Sequence, residues 1–178
     1  MEPLDDLVRR AADGDAEAFA ALFERFYEPL YRYFAARIPD RVEAEDMAAA
    51  VFVEVARGLP GFHSGGAAFI GWLFTVARHD LADAHRHHRR HRVDPVAEVP
   101  EPEAAPDVAE QVIGRLEAHR LRAALNRLTG DQRDVVLLKF AAGLSNEEVA
   151  RALGKPVSAV KSLQHRALAA LHRLLEEP

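Results

Sequence analysis

Hydrophobic residues recur three, four or seven positions apart along most of the chain, which is the spacing of amphipathic α-helices. The first such pattern covers residues 4–12, and a longer one covers 16–38 with Pro29 inside it. Two further helices are predicted over 42–59 and 67–92. Apolar and polar residues do not alternate as they would in half-buried β-strands. The first part of the chain therefore predicts an all-α domain.

The helical pattern stops between residues 93 and 109. This segment holds four prolines among acidic residues and has no apolar periodicity, so it predicts a flexible linker. Beyond it a further helix spans 131–142. The apolar positions that lead up to that helix are Val112, Leu116, Leu121, Leu125 and Leu128. We therefore predict two small helical domains, 1–92 and 110–178.

The stretch from 143 to 167 predicts two short helices joined by a tight turn. Ser145 and Glu148 have the spacing of a capping box, in which each side chain bonds the other residue's backbone N–H. Gly154 suits the left-handed residue that ends a helix, and Pro156 suits the start of the next one. This arrangement is typical of a helix-turn-helix, whose second helix enters the DNA major groove.

The second helix of this pair combines an apolar face with a face of hydrogen-bond donors. Its predicted inward positions are Val157, Val160, Gln164, Ala167 and Leu171. Its outward donors, which predict DNA contacts, are Ser158, Lys161, Ser162, His165 and Arg166. The alternative is an ordinary helical hairpin with solvated charges.

The predicted helix 67–92 carries a tryptophan and several cations away from its main apolar stripe. An aromatic platform beside a cationic track is what single-stranded nucleic acid binds. The residues that predict such contacts are Trp72, Arg78, His79, Arg86 and Arg89. The alternative is a second buried stripe made by Phe69, Trp72 and Val76. The glycine-rich loop 60–66, with Phe62 and His63, is either a plain connector or a cradle for an unstacked base.

Charge and composition narrow the function further. The net charge of −5 divides into −3 for residues 1–92, −6 for 93–112 and +4 for 113–178. Because the field that steers binding is local, an acidic middle segment does not exclude DNA. The absence of cysteine excludes disulfides and thiolate metal sites. With no membrane-length apolar run and no signal peptide, we expect a cytoplasmic protein.

The histidine-rich tract AHRHHRRHR invites a metal interpretation. Asp83, His87 and His91 are spaced four apart, so they share one face of a helix. Five arginines between 78 and 92 would repel a cation, however, and no cysteine completes a typical site. Binding of phosphate by a cationic tail is therefore favoured over a metal site. No pattern in the sequence indicates catalysis or a cofactor.

Four segments, taken in order, resemble bacterial RNA polymerase sigma factors of the sigma-70 class, extracytoplasmic-function (ECF) type. In the first domain they are GDAEAFAALFERFYEPLYRYFAARI, AEDMAAAVFVEVARGLPGF and FIGWLFTVARHDLADAHRHHRR. In the second domain the segment is LNRLTGDQRDVVLLKFAAGLSNEEVARALGKPVSAVKSLQHRAL. The resemblance runs from about residue 13 to 174, and both domains match in the right order.

The resemblance implies a subunit that binds core RNA polymerase and promoter DNA, with no active site of its own. The first domain would recognise the −10 element and hold the single-stranded non-template strand, and the second would bind the −35 duplex. It also implies regulation by an anti-sigma factor. The implied polymerase contacts are Glu45, Asp46, Phe52 and Arg57, which turn an otherwise ordinary solvated acidic face into a protein interface.

The chain departs from the family pattern at two places. Ala48, Ala49 and Ala50 stand where a polar pair is frequent, and Leu163 replaces a common basic residue with Gln164 in the usual apolar position. The main rival is a stand-alone helix-turn-helix regulator whose first domain senses a ligand or dimerises. A metal-dependent enzyme that uses the histidine tract is a third, weaker hypothesis.

Overall fold

The computed structural model describes residues 2–90 and 108–176, except for the side chains of 88–90, 108–113 and 115. The described residues are mostly helical and contain no β-strand, which confirms the predicted all-α class. The helices of the first half are α1 (Leu4–Ala12), α2 (Ala16–Ala35), α3 (Arg41–Gly58) and α4 (Gly66–Arg90). Those of the second half are α5 (Val108–Arg127), α6 (Gly130–Val136), α7 (Asn146–Leu153) and α8 (Val157–Glu176).

Helices α1 to α4 bury their apolar stripes against one another. The largest fully buried side chains of this half are Tyr33, Phe34, Phe69, Phe74, Leu22, Leu30, Ile38, Leu59, Leu73 and Val8. Tyr33 meets Phe74 edge to face, with ring centroids 6.0 Å apart. Helix α2 continues through Pro29.

Aspartates fix the starts of α2 and α3. The Asp15 carboxylate accepts from the backbone N–H of Glu17 and Ala18, and Asp40 accepts from that of Glu43. Asp40 thereby ends the loop after α2 and begins α3. Such caps satisfy donors that have no partner inside the helix.

The helix-turn-helix forms as predicted. The Ser145 hydroxyl accepts from the Glu148 N–H at 3.1 Å, and the Glu148 carboxylate accepts from the Ser145 N–H at 2.7 Å. Gly154 ends α7 in the left-handed conformation at φ 61° and ψ 34°. A residue with a Cβ adopts this conformation at a cost, which is why glycine occupies the turn.

The inward face of α8 differs from the prediction by one position. Leu163 is buried, with Val160, Ala167 and Leu171, whereas Gln164 is only half-buried. The apolar stripe therefore follows the spacing i, i+3, i+7, i+11 and leaves Gln164 at its edge. Leu163 is a core residue of the second half, so it does not replace a DNA contact on the outer face.

Two details of the second half add to the predicted helical pattern. Leu116 and Leu121 are 59% and 44% exposed, whereas Leu125 of α5 and Leu128, just after that helix, are buried. The helix predicted over 131–142 is a short α-helix followed by a π-helical turn, Leu137–Ala141. Its N-cap is Thr129, which forms a capping box with Gln132.

The two halves touch through α4 and α7. Gly71 of α4 faces the backbone of Arg151, where a Cβ on Gly71 would lie 3.3 Å from the Arg151 carbonyl oxygen. Helices α5 and α2 also meet, because the Arg122 guanidinium donates to the Ala35 carbonyl at 3.3 Å. Residues 93–107 of the predicted linker lie outside the described part of the chain. The domain boundaries therefore stay a prediction.

Candidate nucleic-acid interface

Helix α8 presents its donors on one continuous surface. All five predicted DNA contacts are exposed, namely Ser158, Lys161, Ser162, His165 and Arg166. Arg166 makes one long intrahelical contact, from Nε to the Ser162 carbonyl at 3.4 Å. Because the opposite face of α8 is anchored in the core, the donors are held on a rigid element. A rigid helix with hydroxyl, imidazole and cationic groups is suited to phosphate and base-edge contacts.

The loop before α4 lies beside an aromatic pair. The rings of Phe62 and Trp72 stack, with centroids 5.1 Å apart and planes inclined by 17°. Trp72 is half-buried, and its indole also covers Gly58. Phe69 is fully buried beneath them. Of the three residues in the alternative buried stripe, Phe69 is therefore the one that belongs wholly to the core. His63 lies exposed on the loop.

The cations predicted on α4 fall into two groups. His79 and Arg86 are exposed, and both lie beside Asp83, with the His79 Nδ1 3.6 Å from its carboxylate. Arg78 instead turns toward the second half and pairs with Asp134 at 2.9 Å. The side chain of Arg89 lies outside the described residues. The structure therefore places His79 and Arg86, but not Arg78, on the free surface of α4.

Asp80 is a half-buried acidic residue of α4. Burial raises the pKa of Asp80, and the negative charge of Glu54 on α3 adds to that effect. His79 has the opposite effect and lowers the pKa of Asp80, because a positive charge nearby favours the carboxylate form.

A cavity of about 380 Å³ separates α1 from the loop that precedes α4. Asp5, Asp6 and Arg9 line one side, and His63 and Ser64 line the other. Sequence reasoning missed the part that α1 plays in this wall. The adjacent glycines 65 and 66 were the available signal, since glycine permits another backbone element to approach closely.

The outer face of α3 carries the predicted polymerase contacts, with one correction. Asp46 and Arg57 are exposed, and Glu45 bonds Arg41 at 2.7 Å. Phe52 is only 4% exposed, and its ring lies 4.7 Å from that of Phe23. Phe52 therefore supports α3 from inside and offers no surface for a direct contact.

Two exposed valines on α3 were not singled out in the sequence. Val42 and Val53 are 64% and 51% exposed. Residues 11 apart in a helix point in nearly the same direction, and Asp46 lies between them. A shallow groove of about 480 Å³ beside this face is lined by Asp40, Val42, Glu43, Asp46, Met47 and Ala50. The acidic groups and exposed apolar groups together fit a protein partner better than a solvated face.

Comparison with known proteins identifies both halves. The sigma-70 region 2 model matches residues 22–91, and the model named "Sigma-70, region 4" matches 118–171. The ECF RNA polymerase sigma factor BldN of Streptomyces coelicolor is 35% identical over 97% of this chain and 66% of its own length. SigD of Mycobacterium tuberculosis is 34% identical over 94% of this chain and 81% of its own. The chain belongs to the ECF group of the sigma-70 family.

Solved structures agree with the fold of this sigma factor. CnrH, solved with the cytosolic domain of CnrY, has a TM-score of 0.69 at 24% identity and covers 98% of each chain. RpoE of Bartonella quintana, solved with the anti-sigma factor NepR, has a TM-score of 0.61 at 23% identity. That match covers 91% of this chain and 99% of RpoE.

Two further properties of the described residues concern membrane helices and metal ligands. None of the helices there has both the length and the apolar character needed to cross a membrane. Within the same residues no three acidic or histidine side chains are grouped as metal ligands. His91, the third member of the predicted metal trio, lies outside the described part of the chain.

Proposed function

We propose that this sigma factor makes three contacts during transcription initiation. The outer face of α3 binds core RNA polymerase, with Asp46 at its centre. The loop 61–66 and the exposed side of α4 bind the −10 element and its unpaired non-template strand. Helix α8 enters the major groove of the −35 element.

The observation that carries this proposal is the exposure of all five α8 donors within a region matched to sigma-70 region 4. The opposite face of α8 is fixed by buried Val160, Leu163 and Ala167. A stand-alone regulator would also expose such a helix. It would not account for the match of the first half to region 2, and it is not favoured.

The polymerase remains the catalyst in this proposal, and the sigma factor supplies recognition. We include an anti-sigma factor among its partners, because the RpoE relative was solved in complex with one. The two exposed surfaces of α3 and α8 are the ones that such a protein would have to cover to prevent initiation.

Binding to core polymerase tests the first contact directly. Asp46→Ala removes an exposed carboxylate from the proposed interface, and we expect affinity for core to fall about tenfold, as for a central interface residue. Glu24→Ala is the matched control, because Glu24 is an exposed carboxylate on α2. Equal affinity of both variants and the native protein would exclude the Asp46 face as the docking surface.

A further inference from the structure

Helix α4 is capped by a residue from a distant helix. The backbone N–H groups at a helix start have no partner within the helix, and usually a side chain just before the helix accepts one of them. Here the preceding residue is Gly65, which has no side chain and cannot provide such a cap. Its carbonyl accepts from the Phe69 N–H at 3.1 Å. The Gly66 N–H donates instead to the Asp5 carboxylate at 2.5 Å. Asp5 lies 61 residues earlier, on α1.

The close approach of α1 explains the glycine pair. A Cβ on Gly65 would lie 2.6 Å from the Asp5 carboxylate oxygen, and one on Gly66 would lie 2.5 Å from Cγ of Leu4. Both separations are shorter than van der Waals contact permits. Glycine at these two positions therefore lets α1 rest directly on the start of α4.

Helix α1 is itself fixed to the core of the first half. Leu7, Val8 and Ala11 are buried on its inner face. The Asp5 carboxylate is thus held by a packed helix, and a negative charge at a helix start is favourable in the field of the peptide dipoles. The bond to Gly66 consequently ties the end of the loop to a rigid support.

This bond lies at the end of the loop that we propose to bind the −10 strand. Residues 62–65 run directly into Gly66, and their other end carries Phe62, which stacks on Trp72. With both ends held, His63 and Ser64 face α1 across the cavity. A binding loop that is already held in its bound conformation loses less entropy when the ligand arrives.

We propose that Asp5 is a positioning residue for −10 recognition: it holds loop 62–65 in the conformation that receives the unpaired strand. The inference rests on the proposed function of this loop. Helix α1 precedes the region matched to sigma-70 region 2. Under this proposal it contributes to promoter recognition. Asp5 acts through the Gly66 amide and not through contact with DNA.

The test uses holoenzymes assembled from core polymerase and four forms of the full chain: native, Asp5→Ala, Asp5→Asn and Asp6→Ala. The DNA probes are a promoter recovered by run-off transcription, a fork with its −10 strand unpaired, and a duplex containing only the −35 element. Asp6 is the matched control, because it lines the same cavity, carries the same charge and pairs with Arg9 on its own helix.

We expect Asp5→Ala to weaken binding to the fork about tenfold through loss of a charge-assisted hydrogen bond, with −35 duplex binding unchanged. Asp5→Asn keeps an acceptor oxygen and should restore most of that loss, and Asp6→Ala should behave like the native protein. In the protein alone, amide hydrogen exchange over 62–66 should be faster in Asp5→Ala than in Asp6→Ala.

Equal fork binding by Asp5→Ala and Asp6→Ala would overturn the proposal. So would a loss in Asp5→Ala that extends equally to the −35 duplex, because that would indicate a general loss of structure. Failure of Asp5→Asn to recover any binding would also overturn it, because the amide keeps an acceptor oxygen for the Gly66 N–H. If the native holoenzyme selects no promoter at all, the proposed function itself fails, and this role falls with it.

Discussion

Arg78 and Asp134 join the two halves of the chain. The Arg78 guanidinium on α4 places Nη2 2.9 Å from the Asp134 carboxylate on α6, and its Nε donates to the same oxygen at 3.1 Å. Both side chains are largely shielded, at 35% and 20% exposed. Arg78 was predicted to contact DNA, but here its donors are directed at the second half. In this arrangement the Arg78 side of α4 is not available to a promoter.

Asp134 should therefore help to keep the first half of the chain in contact with the second. Replacing it with alanine removes the ion pair and leaves a partly shielded guanidinium, so we expect contact between the halves to weaken by about 1 kcal/mol. Hydrogen exchange of the α4 amides around Gly71 should become about fivefold faster. Asp131→Ala is the control, since Asp131 pairs with Lys155 inside the second half. Identical exchange in the two variants would show that the pair does not hold the halves together.

Lys161 should contribute to −35 binding through its charge. In Lys161→Ala we expect weaker binding to a −35 duplex and a salt dependence whose slope is lower by about one, as for the loss of one phosphate contact. Arg173→Ala removes the same charge from the far end of α8 and should leave both quantities unchanged. Fluorescence anisotropy over a range of salt concentrations measures both. An unchanged slope in Lys161→Ala would remove Lys161 from the set of phosphate contacts.

The position of Trp72 should depend on the absence of a side chain at Gly58. A Cβ there would lie 2.7 Å from the Trp72 ring, so Gly58→Ala should displace the indole from Phe62 and increase its contact with water. Trp72 is the single tryptophan, so the emission maximum of the protein should shift to longer wavelength. Gly61→Ala is the control, because a Cβ at Gly61 meets no atom within 4 Å. A similar spectrum for both variants would contradict the packing described.

The contribution of Asp15 to the stability of the fold should be lost in acid. Its pKa is held below the ordinary value of 3.8, first by the Ala18 backbone N–H and then by Arg10. A lowered pKa in the folded state stabilises the fold above the unfolded-state pKa, and this contribution is lost as pH falls through the folded value. Asp15→Ala should therefore lower Tm at pH 7, and the difference from the native protein should shrink below about pH 4. Circular dichroism melts across pH would contradict this if the difference stayed constant.

The features that the sequence predicted well are local. Ser145 and Glu148 are three residues apart and form their capping box within one turn, and Gly154 ends the helix through its own backbone freedom. Neither depends on what packs from elsewhere in the chain. The helical periods of α1 to α4 were equally informative, because each apolar stripe meets a single shared core.

The features that were missed depend on distant partners. In α8 two neighbouring stripes fitted the period, and packing against the rest of the second half selected the one with Leu163 and left Gln164 at the edge. Phe52 was assigned to the polymerase surface by resemblance, yet Phe19 and Phe23 of α2 enclose it. The bond from Asp5 to Gly66 joins helices that are remote in sequence, and the adjacent glycines 65 and 66 indicate a close approach without indicating which helix approaches.

Run-off transcription with purified core polymerase, this protein and promoter fragments from its own genome tests the sigma-factor function most directly. The proposed function predicts transcripts that appear only when the protein is added and whose templates share two upstream elements. Lys161→Ala should reduce those transcripts, while Arg173→Ala should not. Binding to duplex DNA without binding to core and without any specific transcript would contradict the proposal and favour a stand-alone regulator.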